Sequence, residues 1–292
     1  MNILEELFGN LATFSEYVSG VDTSNSLDDL KAPARTARKR IESVITAKVF
    51  TAILSSEDED LLDALRMAMA NMTLSVQLVF DVINRRKSDI DVYKYELEGM
   101  KRSYMENYYN AMDSLVQQLM CAETEDDDTI SPAALWKKAR YCTVLSQCQI
   151  QTADEFDTIY PIDLSYLFFF RIVPLQKECL DERLGAYFSK TEDEQIVGML
   201  KLALAKKTIA KALRRFDILE FPPVIRNLFD DNTASRSGKD EHDAMTDLAD
   251  RLEGEADDLT DSVDLMLTDE SMADISSYSA YNKDDDVIVM AP

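Results

Sequence analysis

Residues 61–83 read LLDALRMAMANMTLSVQLVFDVI. Leu61, Leu65, Met69, Met72, Val76, Phe80 and Ile83 recur at spacings of three and four, the period that places side chains on one face of an α-helix. The following stretch repeats the pattern with Tyr93, Leu97, Met100, Tyr104, Tyr108, Met112, Leu115 and Leu119. Two long helices are therefore expected over residues 57–122 as an antiparallel hairpin, turning at Arg85-Arg86-Lys87-Ser88-Asp89. Backbone breakers are scarce throughout: 7 Gly and 7 Pro in 292 residues, under half of the about 12% of average usage. That scarcity excludes turn-rich architectures, and no glycine-rich phosphate loop, Gly-x-Ser-x-Gly elbow or dinucleotide fingerprint is present. The expected fold class is all-α: a multi-helix bundle built on this hairpin, with an extended acidic C-terminal arm ending in a short β-strand.

Capping signals place the other helices. Ser56/Glu59, Thr152/Glu155 and Thr191/Glu194 have the form in which a hydroxyl bonds the third helical N–H and the Glu reaches back to the cap. Ser131-Pro132 marks a further start, with Pro at the position whose missing N–H costs nothing. Ala34 to Ile53 reads as one helix carrying Arg35, Arg38, Lys39 and Arg40 on its first two turns. This basic cluster either pairs with the chain's own acidic surface or contacts an acidic neighbouring subunit. The run Glu123-Thr124-Glu125-Asp126-Asp127-Asp128 is expected to be a solvated loop separating the hairpin from a second helical half at 131–229. Within that half, Leu164 to Phe188 contains Tyr166-Leu167-Phe168-Phe169-Phe170, apolar all round, and should be the most buried helix. Pro174 should kink or split it. A helix from Glu192 to Phe216 follows, with Ile196, Leu200, Ala203, Ile209 and Leu213 inward. Lys206, Lys207, Lys211, Arg214 and Arg215 lie toward its C-terminal end, where cations suit the helix dipole. Phe221-Pro222-Pro223 stops regular helix.

Charge divides the chain. The whole carries 31 basic and 55 acidic residues, a net of −24, but residues 230–292 hold 19 acidic and 4 basic ones, a net of −15. Residues 1–229 carry 36 and 27, a net of −9. The reading is a helical body at 1–229, an acidic amphipathic helical segment at 230–275 and an extended tail at 276–292. Met245, Leu248, Leu252, Ala256, Leu259, Val263 and Met266 keep a helical seam whose apolar face needs a partner. Val287, Ile288, Val289 and Met290 form a short apolar run with no second strand of its own to pair with. It is either a loose terminus or a strand added to another chain.

Several chemistries lose their usual residues. The single histidine, His242, stands in Asp240-Glu241-His242-Asp243, a solvated helix face in its plainest reading. One histidine cannot supply the Glu-x-x-His pair of a di-iron bundle or a His-Glu-x-x-His zinc motif. Cys121, Cys142, Cys148 and Cys179 show no Cys-x-x-Cys spacing and read as small buried hydrophobes of an intracellular protein. The N-terminus lacks the basic region and apolar core of a secretory signal. Leu164 to Leu175, the densest apolar stretch, is far short of the ~20 residues of a membrane span. The net charge should repel nucleic acid and anionic membranes. No enzyme, cofactor or metal site is expected.

From Leu61 to Ile225 the order of features resembles a family of poorly characterised proteins encoded in the structural gene clusters of tailed phages and prophages. The residues carrying the resemblance are Ala64-Leu65-Arg66-Met67-Ala68-Met69-Ala70, Asn110-Ala111-Met112-Asp113-Ser114-Leu115, and Trp136 after its acidic loop. They continue with Thr152-Ala153-Asp154-Glu155-Phe156, Tyr160-Pro161-Ile162-Asp163-Leu164-Ser165, and the Arg171 to Leu184 helix with Glu178 and Leu184-Gly185. The resemblance implies a head-to-tail connector, a neck or adaptor protein of the virion made in the host cytoplasm. Such a protein docks as a homo-oligomeric ring beneath the portal protein, meets tail and neck proteins, and lets genomic DNA pass as unbound cargo. The contacts between copies are then expected at Val287 to Met290, on the seam Leu248, Leu252, Leu259, Val263 and Met266, and at Arg35, Arg38 and Arg40. Two other functions account for parts of the pattern: an acidic DNA mimic or inhibitor, and a helical scaffold or chaperone of capsid assembly.

Overall fold

In the computed structural model, which describes residues 2–21, 26–87, 94–124, 130–229 and 238–273, the chain opens with helices α1 (Ile3–Phe8) and α2 (Leu11–Tyr17). Asparagines start both: Asn2 Oδ1 accepts from the Leu4 N–H at 3.2 Å and Asn10 Oδ1 from the Thr13 N–H at 2.9 Å. The helix expected from Ala34 to Ile53 is two helices, α3 (Lys31–Ile45) and α4 (Ala47–Leu54). Thr46 breaks it, with φ at +77°, a backbone conformation that a β-branched residue adopts only under strain. The turn keeps the flanking backbone paired, Thr46 N–H to the Glu42 carbonyl and Phe50 N–H to the Thr46 carbonyl. It lets α3 lie on α5 while α4 turns to meet α7.

Helices α5 (Glu59–Lys87) and α6 (Lys94–Cys121) form the expected hairpin. Only six residues join them, so they can pack lengthwise only by running antiparallel. Asp58, not Ser56, caps α5, accepting from the Leu61 N–H at 3.1 Å, while the Ser56 hydroxyl turns back to the Ile53 carbonyl. Leu61, Leu65, Met69 and Met72 are buried against Tyr104, Tyr108, Met112, Leu115 and Leu119. Around residues 68–75, α5 is buried nearly all round because α2, α3 and α6 surround it. Asn71 is tolerated there because its amide donates to the Tyr17 and Met67 carbonyls. The predicted seam does not stay buried to the end. Phe80 and Met100 are exposed, since among the described residues no other element covers that part of the hairpin.

The second half starts with α7 (Pro132–Lys137), where Ser131 Oγ accepts from the Ala134 N–H, followed by α8 (Arg140–Leu145) and α9 (Ala153–Ile159). Thr152 caps α9 as expected, and the Glu155 carboxylate reaches back to the Gln151 N–H. In α10 (Tyr166–Cys179), Leu167, Phe168, Phe169 and Phe170 are all buried, and Trp136 meets Phe170 edge-on at 5.1 Å. Pro174 does not split this helix; it removes one backbone hydrogen bond and the helix continues. The irregularity comes later, in a π-turn at Leu180–Leu184 leading into α11 (Gly185–Phe188). Gly185 is needed there: a Cβ would sit 2.7 Å from the Leu180 carbonyl oxygen.

Helix α12 (Glu194–Arg215) is capped by Asp193, not Thr191, through bonds from the Gln195 and Ile196 N–H groups. The carboxylate outcompetes the hydroxyl, and Thr191 instead accepts from the Asp193 N–H. A 3-10 turn (Ile218–Glu220), α13 (Pro223–Arg226) and α14 (Gly238–Ala273) complete the described elements. Of the described residues, 79% are helical and none is in a strand. The core has α10 at its centre, against α6, α8 and α12.

Candidate functional site

Helix α14 packs along α12. Met245, Leu248, Ala249, Leu252, Ala256 and Val263 are the buried residues of α14, the helix that makes the most extensive contact with α12. The acidic segment is therefore part of the helical body, and the partner its seam needs lies within the same chain. This corrects Leu248, Leu252 and Val263 as contacts between copies. The stripe also drifts from the predicted one. Past Ala256 it runs through Thr260, Val263 and Leu267, with Leu259 half-buried and Met266 exposed beside Leu265. From Met245 the buried row reaches Leu267 in six steps, about 3.7 residues each, where the predicted one reaches Met266 at about 3.5, and the helix's 3.6 residues per turn lies between the two. Thr260 is accommodated because its hydroxyl donates to the Ala256 carbonyl at 2.8 Å.

Flanking this stripe is a ladder of ion pairs. Lys206 meets Glu255 at 2.6 Å, Lys207 meets Asp257 at 2.7 Å, and Arg214 meets Asp250 and Glu253 at 2.6 and 2.7 Å. From the π-turn, Arg183 faces Asp257, Asp261 and Asp264 at 3.5 to 3.9 Å. From Arg214 with Asp250 to Arg183 with Asp264, rising numbers on α14 meet falling numbers on α12 and the π-turn, so α14 runs antiparallel to α12. The basic residues of α12 thus serve the neighbouring acids as well as their own helix end. Most of these groups are partly exposed, and such pairs contribute ~0–1 kcal/mol each. Each buried Leu or Val of the stripe contributes about 1.5–3 kcal/mol. Apolar burial holds α14 in place, and the ladder fixes its direction and register. A second cluster joins Glu178 to Lys211 and Arg215, whose bonds, Arg215's first, hold the Glu178 carboxyl down to about 2.

The basic cluster on α3 divides. Arg38 pairs with Glu42 one turn on and lies over the Phe50 ring, whereas Arg35 and Arg40 make no ion pair among the described residues. Among the described residues, Arg40 makes a hydrogen-bond contact with the Met72 sulfur, at 3.9 Å. Val287, Ile288, Val289 and Met290 lie outside the described residues, as does most of the acidic run 123–128. His242 is exposed on α14. Cys148 and Cys179 are buried and their thiols are pushed up to about 11 by burial. Cys121 departs from the expectation, being exposed. No cluster of His, Cys, Asp and Glu among the described residues could hold a metal ion, and no described helix is long and apolar enough to cross a membrane.

Two features that periodicity did not distinguish from core emerge from the packing. Toward the free end of the hairpin, Val79, Phe80 and Met100 are exposed by 48, 51 and 45%. Beside them runs a groove of about 490 Å³ between α3, the hairpin and the 3-10 turn, bordered by Arg40, Lys101, Tyr108 and Glu220. The signal in the sequence was the same 3.6 period that marks core, and only the reach of neighbouring helices separates the two. No protein-family model matches the chain, and neither a curated protein nor a solved structure matches it.

Proposed function

We propose that the protein is a non-enzymatic assembly protein, a head-to-tail connector of a tailed phage that forms a ring of copies between portal and tail. The observation that carries this reading is the hairpin end, where Val79, Phe80 and Met100 stand in solvent with no covering element among the described residues. Three large apolar side chains gathered on one projecting element are what a docking subunit presents. The paired seam of α14 moves the expected contact away from Leu248, Leu252 and Val263 to this hairpin end and to Met266 with Leu265. The family resemblance and the acidic surface, which would repel passing DNA, support the same reading.

Mass measurement by light scattering tests it. A closed oligomer is expected, reduced to monomer by the double substitution Val79→Asp and Phe80→Asp with helical content unchanged. A wild-type monomer at all concentrations would overturn the proposal. One observation favours an acidic DNA mimic instead: Asp243, Asp247 and Asp258 on the outer side of α14 are exposed and outside the ladder. Competition with DNA for a basic partner protein, insensitive to the hairpin substitutions, is the result that reading requires.

A further inference from the structure

The groove beside the hairpin contains a polar group with no hydrogen-bond partner among the described residues. Tyr108 is 4% exposed and lines the groove, and its hydroxyl makes no hydrogen bond to any described residue. Burial pushes this phenol up to about 12, and Arg40, Arg171 and Glu220 are near enough to act on it. The hydroxyl is not among the fully buried unpaired polar atoms, so it opens to the groove and is available to donate to an acceptor supplied from outside.

The surrounding charges point to the sign of that acceptor. Both carboxylates of the groove are engaged: Glu220 with Arg171 at 2.7 Å, and Asp217 with the Leu219 N–H at 3.0 Å. Arg40 and Lys101 have no carboxylate partner among the described residues. In a chain with 55 acidic and 31 basic residues, two uncommitted cations beside an unpartnered hydroxyl form a local exception. Met72, Val76 and Met105 add an apolar side, and a volume of about 490 Å³ falls in the range of small-molecule sites. A polyanion would be opposed by the chain's net charge of −24 more strongly than a small head carrying one or two charges.

We propose that this groove binds a small anionic amphiphile. Its carboxylate or phosphate head accepts hydrogen bonds from Arg40 and the Tyr108 hydroxyl, with Lys101 beside it, and its short aliphatic chain lies along Met72, Val76 and Met105. A guanidinium suits either head because it can offer two parallel N–H donors.

Titration calorimetry of the full chain tests this, with decanoate and decyl phosphate as separate probes below their micelle concentrations. Saturable one-to-one binding of at least one is expected, and the tighter head identifies a carboxylate or a phosphate source. Decanol should bind at least ten-fold more weakly. Arg40→Gln should weaken binding at least ten-fold and Tyr108→Phe several-fold, while Lys48→Gln, on α4 outside the groove, should leave it unchanged. Tyr108→Phe keeps the ring packing, so its effect reads the hydroxyl and not the fold. Absence of binding by both probes, or equal binding by wild type, Arg40→Gln and Tyr108→Phe with unchanged circular dichroism, would overturn the proposal.

Discussion

Lys206 Nζ lies 2.6 Å from a carboxylate oxygen of Glu255, 49 positions later in the chain, and this pair stands at the edge of the buried stripe joining α12 to α14. The acidic helix is thereby held to the body by two different forces, and their unequal sizes can be measured.

Leu252 is buried in that stripe. Leu252→Ala should cost about 2–5 kcal/mol in urea unfolding, with faster hydrogen exchange in α14. Lys206→Gln should cost at most about 1 kcal/mol. If the lysine substitution proved the more costly, the ion pairs and not the apolar stripe would be holding the helix.

Glu178 has an ordinary pKa of 4.5 and a folded value of about 2, lowered first by its bonds from Arg215 and then by those from Lys211. A carboxyl with a depressed folded pKa contributes stability above its unfolded value, and that contribution fades as the pH falls from about 4.5 through about 2. With 34% of the side chain exposed, the contribution is under about 1 kcal/mol. Protonating the excess acids also relieves their mutual repulsion, so the comparison must be with Glu178→Gln. The stability gap between wild type and variant should be present at pH 6 and close toward pH 2. A gap independent of pH would show that the cluster is not ionic in origin.

Gly185 sits after the π-turn, where an added Cβ meets the Leu180 carbonyl at 2.7 Å. Backbone cannot give way as a flexible side chain can, so Gly185→Ala should cost about 1–3 kcal/mol. Gly198, in the interior of α12, has nothing within 4 Å of its Cβ position. Gly198→Ala should instead stabilise by about 0.5–1 kcal/mol. Thermal melts of the two variants should move in opposite directions, and a shared direction would exclude the close approach at Leu180 as the cause.

Periodicity and composition determined the all-α class, the α5–α6 hairpin, the inward faces of α10 and α12, and the caps at Ser131 and Thr152. Those features depend on a repeat of 3.6 residues and on hydrogen bonds spanning three positions, both local. Tertiary structure decided the rest. Thr46 divides a helix whose sequence pattern is continuous, because α3 and α4 must reach different neighbours. Phe80 and Leu65 share one seam, yet only Leu65 is covered, since coverage depends on how far α2 and α3 extend beside it. The acidic segment looked like an arm because its charge has no counterpart nearby in sequence. Its cations lie on α12, some 36 to 50 positions earlier. Which charges neutralise each other is set by the antiparallel packing of two helices, a relation that no local spacing contains.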